Sequence, residues 1–133
     1  MRLDTTTRYG FSLITNLAKE NEIKSLTQIA DEENISRKYL EQIILKLRKK
    51  NIIRGFKGTK GGYILNQPPE KLYLIDIYRA LEGRDHIIFC LDSGPGCKKS
   101  RACKTKKLWQ RLDDNITEIL STHTVADLLN GNI

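Results

Sequence analysis

The stretch from Ser25 to Leu65 constrains the fold most, because its apolar period is helical at first and strand-like at the end. Ser25-Leu26-Thr27-Gln28 reads as a capping box, in which the Ser hydroxyl and the Gln amide satisfy each other's exposed backbone donors. Leu26, Ile29 and Ala30 give the short helix that follows one apolar side. Asn34-Ile35-Ser36 breaks the chain, and Ser36 is a fitting N-cap for a second helix with Tyr39, Leu40, Ile43, Ile44 and Leu47 as its inner stripe. The outer face carries Arg37, Lys38, Glu41, Gln42, Lys46, Arg48 and Lys49. Ile52-Ile53-Arg54-Gly55-Phe56 and Gly62-Tyr63-Ile64-Leu65 then read as two short strands joined by a basic, glycine-rich tip, Lys57-Gly58-Thr59-Lys60-Gly61. A short helix, a tight turn, a basic helix and a hairpin in this order predict a winged helix-turn-helix. A phosphate-binding nucleotide loop is the competing reading of the glycines, but such a loop opens onto a helix, and these lead into a strand.

Charge follows the same boundaries. The chain carries 23 Lys plus Arg against 16 Asp plus Glu, a net +7. Nine basic residues and one acid, Glu41, lie between Arg37 and Lys60, so this stretch alone carries +8 and the remainder is near neutral. Segregated charge is often only a solvated face, but here it falls on the recognition helix and the wing, where a polyanion would dock. Ser36, Arg37, Lys38 and Gln42 are expected to face a major groove and its flanking phosphates, with Gln42 able to pair with an adenine edge. Glu41 either accepts from a cytosine amino group, sets specificity by repulsion, or pairs with Arg37 or Lys38. Lys57 and Lys60 supply charge for phosphates or a minor groove, with Arg54 on the strand before them.

Further helices flank this unit. Tyr9, Leu13 and Leu17, beside Phe11, Ile14 and Ala18, mark one before it. After the connector Gln67-Pro68-Pro69-Glu70, Ile75, Ile77, Tyr78 and Leu81 mark another, which Gly83 terminates. Leu108, Trp109, Leu112, Ile116, Ile119 and Leu120 form the stripe of a long helix, suited to an intersubunit seam or to ordinary packing. A short helix with Val125, Leu128 and Leu129 runs from near Thr124 to Gly131. The expected fold is mainly α with a small β-hairpin wing. Residues 1–83 are expected to form the winged helix-turn-helix head, 84–105 a cysteine-bearing loop, and 106–133 a long helix followed by a C-terminal helix.

All three cysteines, Cys90, Cys97 and Cys103, fall within that loop, where Gly94, Pro95 and Gly96 supply turns. Seven Lys or Arg between Arg84 and Lys107, against Asp85 and Asp92, surround them with positive charge that would stabilise thiolates. A Gly/Lys/Ser-rich segment is a poor place for apolar filler. The start Met1-Arg2-Leu3-Asp4 opens no secretory apolar run, so a reducing, cytoplasmic setting is expected and a structural disulfide is not. No apolar run approaches a membrane span. Three thiolates at this spacing suit zinc or an iron-sulfur cluster about equally.

With these features in this order, the whole chain resembles the Rrf family of bacterial transcription factors, in its IscR and NsrR type. The resemblance rests on Met1-Arg2-Leu3 with Arg8-Tyr9, on Tyr39-Leu40-Glu41-Gln42, on Gly61-Gly62-Tyr63, on Ala80-Leu81-Glu82-Gly83 and on Leu108-Trp109. It implies a homodimer crossed through the helix 106–121, with two winged heads on a palindromic operator of double-stranded DNA. It also implies that Cys90, Cys97 and Cys103 hold a 2Fe-2S or 4Fe-4S cluster whose state changes DNA affinity. The first cysteine spacing is one residue longer than the common pattern. Lys106 stands where several members place a histidine as fourth ligand, and Arg8 where others place an aspartate from the partner. The fourth ligand therefore stays open among His86, Asp85, Asp92, a partner carboxylate and a small exogenous ligand.

The leading expectation is a DNA-binding regulator with a loop cluster as its sensor. The alternatives keep the DNA reader with zinc or a thiol switch, or make the chain a small iron-sulfur electron carrier, which would need neither wing nor basic head. Catalysis is not expected, since no Ser or Cys sits in an evident constellation with a histidine and a carboxylate, and His86 and His123 lie far apart in sequence.

Overall fold

The computed structural model describes residues 3–91 and 102–133. Helices α1 (Thr5–Glu20), α2 (Leu26–Glu33) and α3 (Arg37–Lys49) are followed by the strands β1 (Ile53–Phe56) and β2 (Gly62–Leu65). Then come α4 (Leu74–Glu82), α5 (Lys106–Thr122) and α6 (Val125–Asn130), with short 3-10 helices at Pro69–Lys71 and Phe89–Leu91. The mainly helical fold with a hairpin wing is as the sequence predicts. Among the described residues, no helix is long and apolar enough to cross a membrane.

Caps set the helix boundaries. Ser36 accepts from the Tyr39 amide at 3.2 Å and so starts α3, while Asn34 in the left-handed conformation (φ 53°) closes α2. The capping box expected at Ser25 is only half made. Ser25 accepts from the Gln28 amide at 3.1 Å, but the Gln28 side chain turns along the helix to Glu32 at 3.1 Å, an (i, i+4) partner within easier reach. A complete box begins α6, where Thr124 and Asp127 satisfy each other.

The core gathers Leu13, Ile14 and Leu17 of α1, Ile29 of α2, Leu40, Ile43, Ile44 and Leu47 of α3 and Ile77 and Leu81 of α4. Ile53 and Leu65 join it from the hairpin and Val125 from α6, so the last helix packs on the head. A second, smaller cluster of Ile75, Tyr78 and Ile87 receives Ile116 and Leu120 from α5. Apolar burial of this kind, at roughly 25 cal/mol per Å², is the main term holding such a small domain together.

α5 differs from the other long helices, because its one buried residue is a carboxylate, Asp113. The stripe seen in the sequence splits into two faces. Ile116 and Leu120 turn inward to the protomer, while Leu108 and Ile119 remain 53% and 50% exposed.

A buried cation ties the wing to the helices. Lys24, 3% exposed, exchanges backbone hydrogen bonds with Tyr63 of β2 at 3.0 and 2.8 Å and thereby bridges the hairpin to the segment between α1 and α2. Its Nζ donates to Asn16 Oδ1 (2.7 Å) and Glu32 Oε2 (3.0 Å) and pairs with Glu20 at 3.2 Å, linking α1 and α2. Burial opposes the charge on Lys24, but its hydrogen bonds to Glu32 and Glu20 and their negative charge outweigh it and its pKa is raised. Hydrogen bonds from Lys24, Asn16 and Gln28 pull Glu32 down to about 2. A carboxylate with a depressed folded pKa stabilises above its unfolded value, ordinarily 4.5, and that contribution is lost as pH falls towards 2. Glu32→Gln is expected to lower the melting temperature at neutral pH, with the gap from wild type closing as pH falls below about 4. A gap that is constant from neutral pH to acid would remove the ion pair as its cause.

Candidate nucleic-acid interface and cysteine loop

The polar residues of α3 are presented by the way its apolar stripe is buried. With Leu40, Ile43, Ile44 and Leu47 inside, Arg37, Lys38, Glu41 and Gln42 are all exposed on the opposite side. Ser36 stands at their head, its oxygen engaged by the Tyr39 amide. No ion pair joins Glu41 to Arg37 or Lys38 among the described residues, so the pairing considered from the sequence is not made. Lys46 also differs from a simple outer-face cation, because its Nζ donates to the Leu81 carbonyl at 3.1 Å and ties α3 to the end of α4.

The wing lies beside this face. β1 and β2 pair antiparallel with Ile53 opposite Leu65 and Phe56 opposite Gly62. Arg54, Lys57 and Lys60 are exposed on it. A cleft of about 490 Å³ separates wing from helices, and Ser25 and Thr27 at the start of α2, Arg37 and Arg48 of α3 and Lys57 of the wing line it. The structure thus brings Arg37 and Lys57 to one cleft, whereas Lys38, Gln42, Arg54 and Lys60 lie outside its lining. Arg48 stacks over the Tyr63 ring at 6.0 Å and Arg54 over Phe56 at 5.3 Å, which holds two of the cations against the hairpin.

Gly62 has a reason that the sequence did not reveal. Its φ is +152°, and a Cβ there would lie 2.1 Å from the Lys24 carbonyl oxygen. It allows the wing to approach its own helices as Lys24 pairs with Tyr63.

The cysteine loop leaves α4 at Gly83, which caps that helix in the left-handed conformation (φ 68°). Glu82 at the helix end accepts from the Thr7 hydroxyl and pairs with Arg84 at 3.4 Å. Cys90 lies in the 3-10 helix Phe89–Leu91 and is half-buried, as is Cys103, whose Sγ contacts Thr105 Oγ1 at 3.1 Å. Cys97 and Asp92 lie outside the described residues. Among the described residues, no three His, Cys, Asp or Glu side chains are gathered around a common point. The donor chemistry nevertheless suits iron and sulfide, since three soft thiolates in a cationic segment balance the charge of such a group.

Asp113 is the residue that sequence reasoning missed. Its Oδ1 accepts from the amides of Ile87 (2.7 Å) and Ile88 (2.9 Å), and its Oδ2 contacts His86 Nδ1 at 2.8 Å. Burial pushes its pKa up, but the His86 contact and the two amides prevail and hold it below the usual carboxylate range. A signal existed in the spacing, because Asp113 lies four residues after Trp109 and three before Ile116, within the inward face of the helix. His86 therefore has a hydrogen-bonding partner on α5 at the base of the loop.

The comparisons agree with this architecture. Residues 3–131 match the Rrf2 family, described as iron-dependent transcriptional regulators. The chain is 33% identical over 130 residues to the transcriptional regulator CymR of Bacillus subtilis, covering 96% of this chain and 89% of that protein. The solved structure of T. potens IscR superposes with a TM-score of 0.79 at 31% identity, covering 100% of this chain and 89% of that one. That of the oxidized form of Staphylococcus aureus CymR has a TM-score of 0.77 at 37% identity, covering 96% and 95%. These relatives are transcriptional regulators rather than enzymes. With its wing, basic recognition helix and near full-length match, the chain belongs to the Rrf2 family of DNA-binding transcriptional regulators.

Proposed function

We propose that the protein works as a homodimer in which two winged heads read a palindromic operator and Cys90, Cys97 and Cys103 hold an iron-sulfur cluster that sets DNA affinity. In this organisation 1–83 is the reading head, 84–105 the sensor and 106–133 the dimerisation unit. A regulator of chromosomal DNA acts in the cytoplasm, which keeps thiols reduced. The observation that carries the reading is the confinement of every cysteine to the segment that joins the head to α5. The uncovered Leu108 and Ile119, and separately an apolar groove of about 360 Å³ that includes Phe11, Tyr78, Ile116 and Leu120, support a second copy as partner. The cluster, when bound, supplies a redox- and assembly-sensitive charge centre. The chain supplies three thiolates, a cationic surround and the anchoring of the loop to α4 and α5.

Anaerobically purified protein is expected to be brown and to contain iron and sulfide in proportion. Cys90→Ala or Cys103→Ala should remove that absorption, because each loss deletes a soft ligand and a compensating charge. A colourless wild type after anaerobic reconstitution would sink the cluster. A thiol switch is then the second reading, favoured by the similarity to CymR, one solved structure of which is an oxidized form.

On DNA, salt separates two roles. Lys57→Ala should weaken binding to all sequences alike and flatten the salt slope by about one counterion per subunit. Gln42→Ala should instead cost roughly 1 to 3 kcal/mol on the operator and leave non-specific affinity and salt slope nearly unchanged. Equal losses for Gln42→Ala on operator and scrambled duplexes would remove α3 from base reading.

A further inference from the structure

We infer that Asp113 is the positioning residue of the cysteine loop, a carboxylate on α5 that fixes where Cys90 is presented. The inference rests on the reading of that loop as the sensor. Its physical basis is the geometry of the limb that leads to Cys90. Asp113 is 3% exposed, and both of its oxygens are spent on the consecutive residues His86, Ile87 and Ile88, with all three contacts between 2.7 and 2.9 Å. Two adjacent amides that converge on one carboxylate oxygen define the position and direction of the backbone between them, much as a cap defines the first turn of a helix. Ile87 at the same point is buried against Ile75 and Tyr78, so the limb is held by packing on α4 and by the hydrogen bonds its amides donate to Asp113 of α5. Cys90 follows within one short 3-10 turn. A ligand placed by such a limb keeps a constant distance from α5, and a change at its sulfur is passed to that helix through Asp113 as well as along the chain. The ring of His86 is the smaller part of the device, because the two amides alone orient the backbone.

Conservative rescue separates positioning from a general contribution to stability. Asp113→Asn keeps an oxygen for the two amides and presents an N–H₂ to His86 Nδ1, whereas Asp113→Ala leaves both amides without an acceptor. The probe is iodoacetamide on the cluster-free protein, with the rate at each cysteine followed by peptide mass. In Asp113→Ala, Cys90 should react on the order of tenfold faster, as expected when a local opening becomes that much more frequent. Cys103, three residues before α5 and remote from the Asp113 contacts in sequence, should change less than twofold, and Asp113→Asn should restore the wild-type rate at Cys90 within about twofold. Hydrogen exchange of the wild type supplies the measurement if Asp113→Ala fails to fold: the Ile87 and Ile88 amides should exchange at least about a hundredfold more slowly than those of Asp85 and Phe89. Equal acceleration at Cys90 and Cys103, no rescue by Asn, or unprotected Ile87 and Ile88 amides would each overturn the inference. These readouts need no cluster, so a protein that binds no iron but shows them would refute the cluster and retain the clamp.

Discussion

Leu108→Glu with Ile119→Glu is expected to convert a dimer at micromolar concentration into a folded monomer. In one protomer both side chains are half-exposed, so the charges meet water and the protomer's own core loses nothing. In a two-fold seam each substitution occurs twice, and each lost apolar contact forfeits about 1.5–3 kcal/mol of burial, before the cost of a carboxylate facing apolar surface is added. Even half of that sum, since both side chains are already half covered in the protomer, raises the dissociation constant by about a hundredfold or more, enough to dissociate a micromolar homodimer. Ile116→Glu would be a misleading test, because Ile116 packs inward against Ile75, Tyr78 and Ile87 and its loss would disturb the protomer itself. Sedimentation equilibrium decides the matter: a monomeric wild type, or a double variant that remains dimeric, rejects α5 as the seam.

The second large effect concerns the wing. Gly62→Ala places a methyl group where the Lys24 carbonyl already stands, at a φ that residues with a Cβ rarely adopt. The backbone must yield, and the strand pair between Lys24 and Tyr63 is the part that opens. A destabilisation of about 1–3 kcal/mol is expected, of the size seen for overpacking and backbone strain. DNA affinity should fall on the order of tenfold on operator and scrambled duplexes alike, because the displaced wing carries Lys57 and Lys60, the cations proposed for phosphate contact. Urea melts and binding titrations on the same preparations read both effects. Unchanged stability together with unchanged affinity would show that the close approach of wing and helix is not required.

The residues that made the head legible act locally. Ser36 caps α3 whatever surrounds it, the strands Ile53–Phe56 and Gly62–Leu65 need only each other to pair, and Gly83 ends α4 by its own backbone freedom. For the same reason the polar face of α3 could be read from its apolar stripe. Gln28 shows the limit of local reasoning: the residue suited a capping box, and a better-placed carboxylate four residues on took its side chain.

The sequence by itself thus determined the element order, the winged helix-turn-helix, the concentration of positive charge on α3 and the hairpin, and the confinement of the three cysteines to one loop. These follow from periodicity, capping and composition, which act over a few residues. Tertiary structure alone decided which face of the α5 stripe turns inward, since Leu108, Ile116 and Ile119 are equally apolar and only the position of α4 separates them. It also decided that Lys24 is buried between two helices and the wing, and that Asp113 grips the limb before Cys90. A lone charge in a sequence looks solvated, because the partners that make its burial tolerable come from distant segments and are brought to it only by the packing of the whole chain.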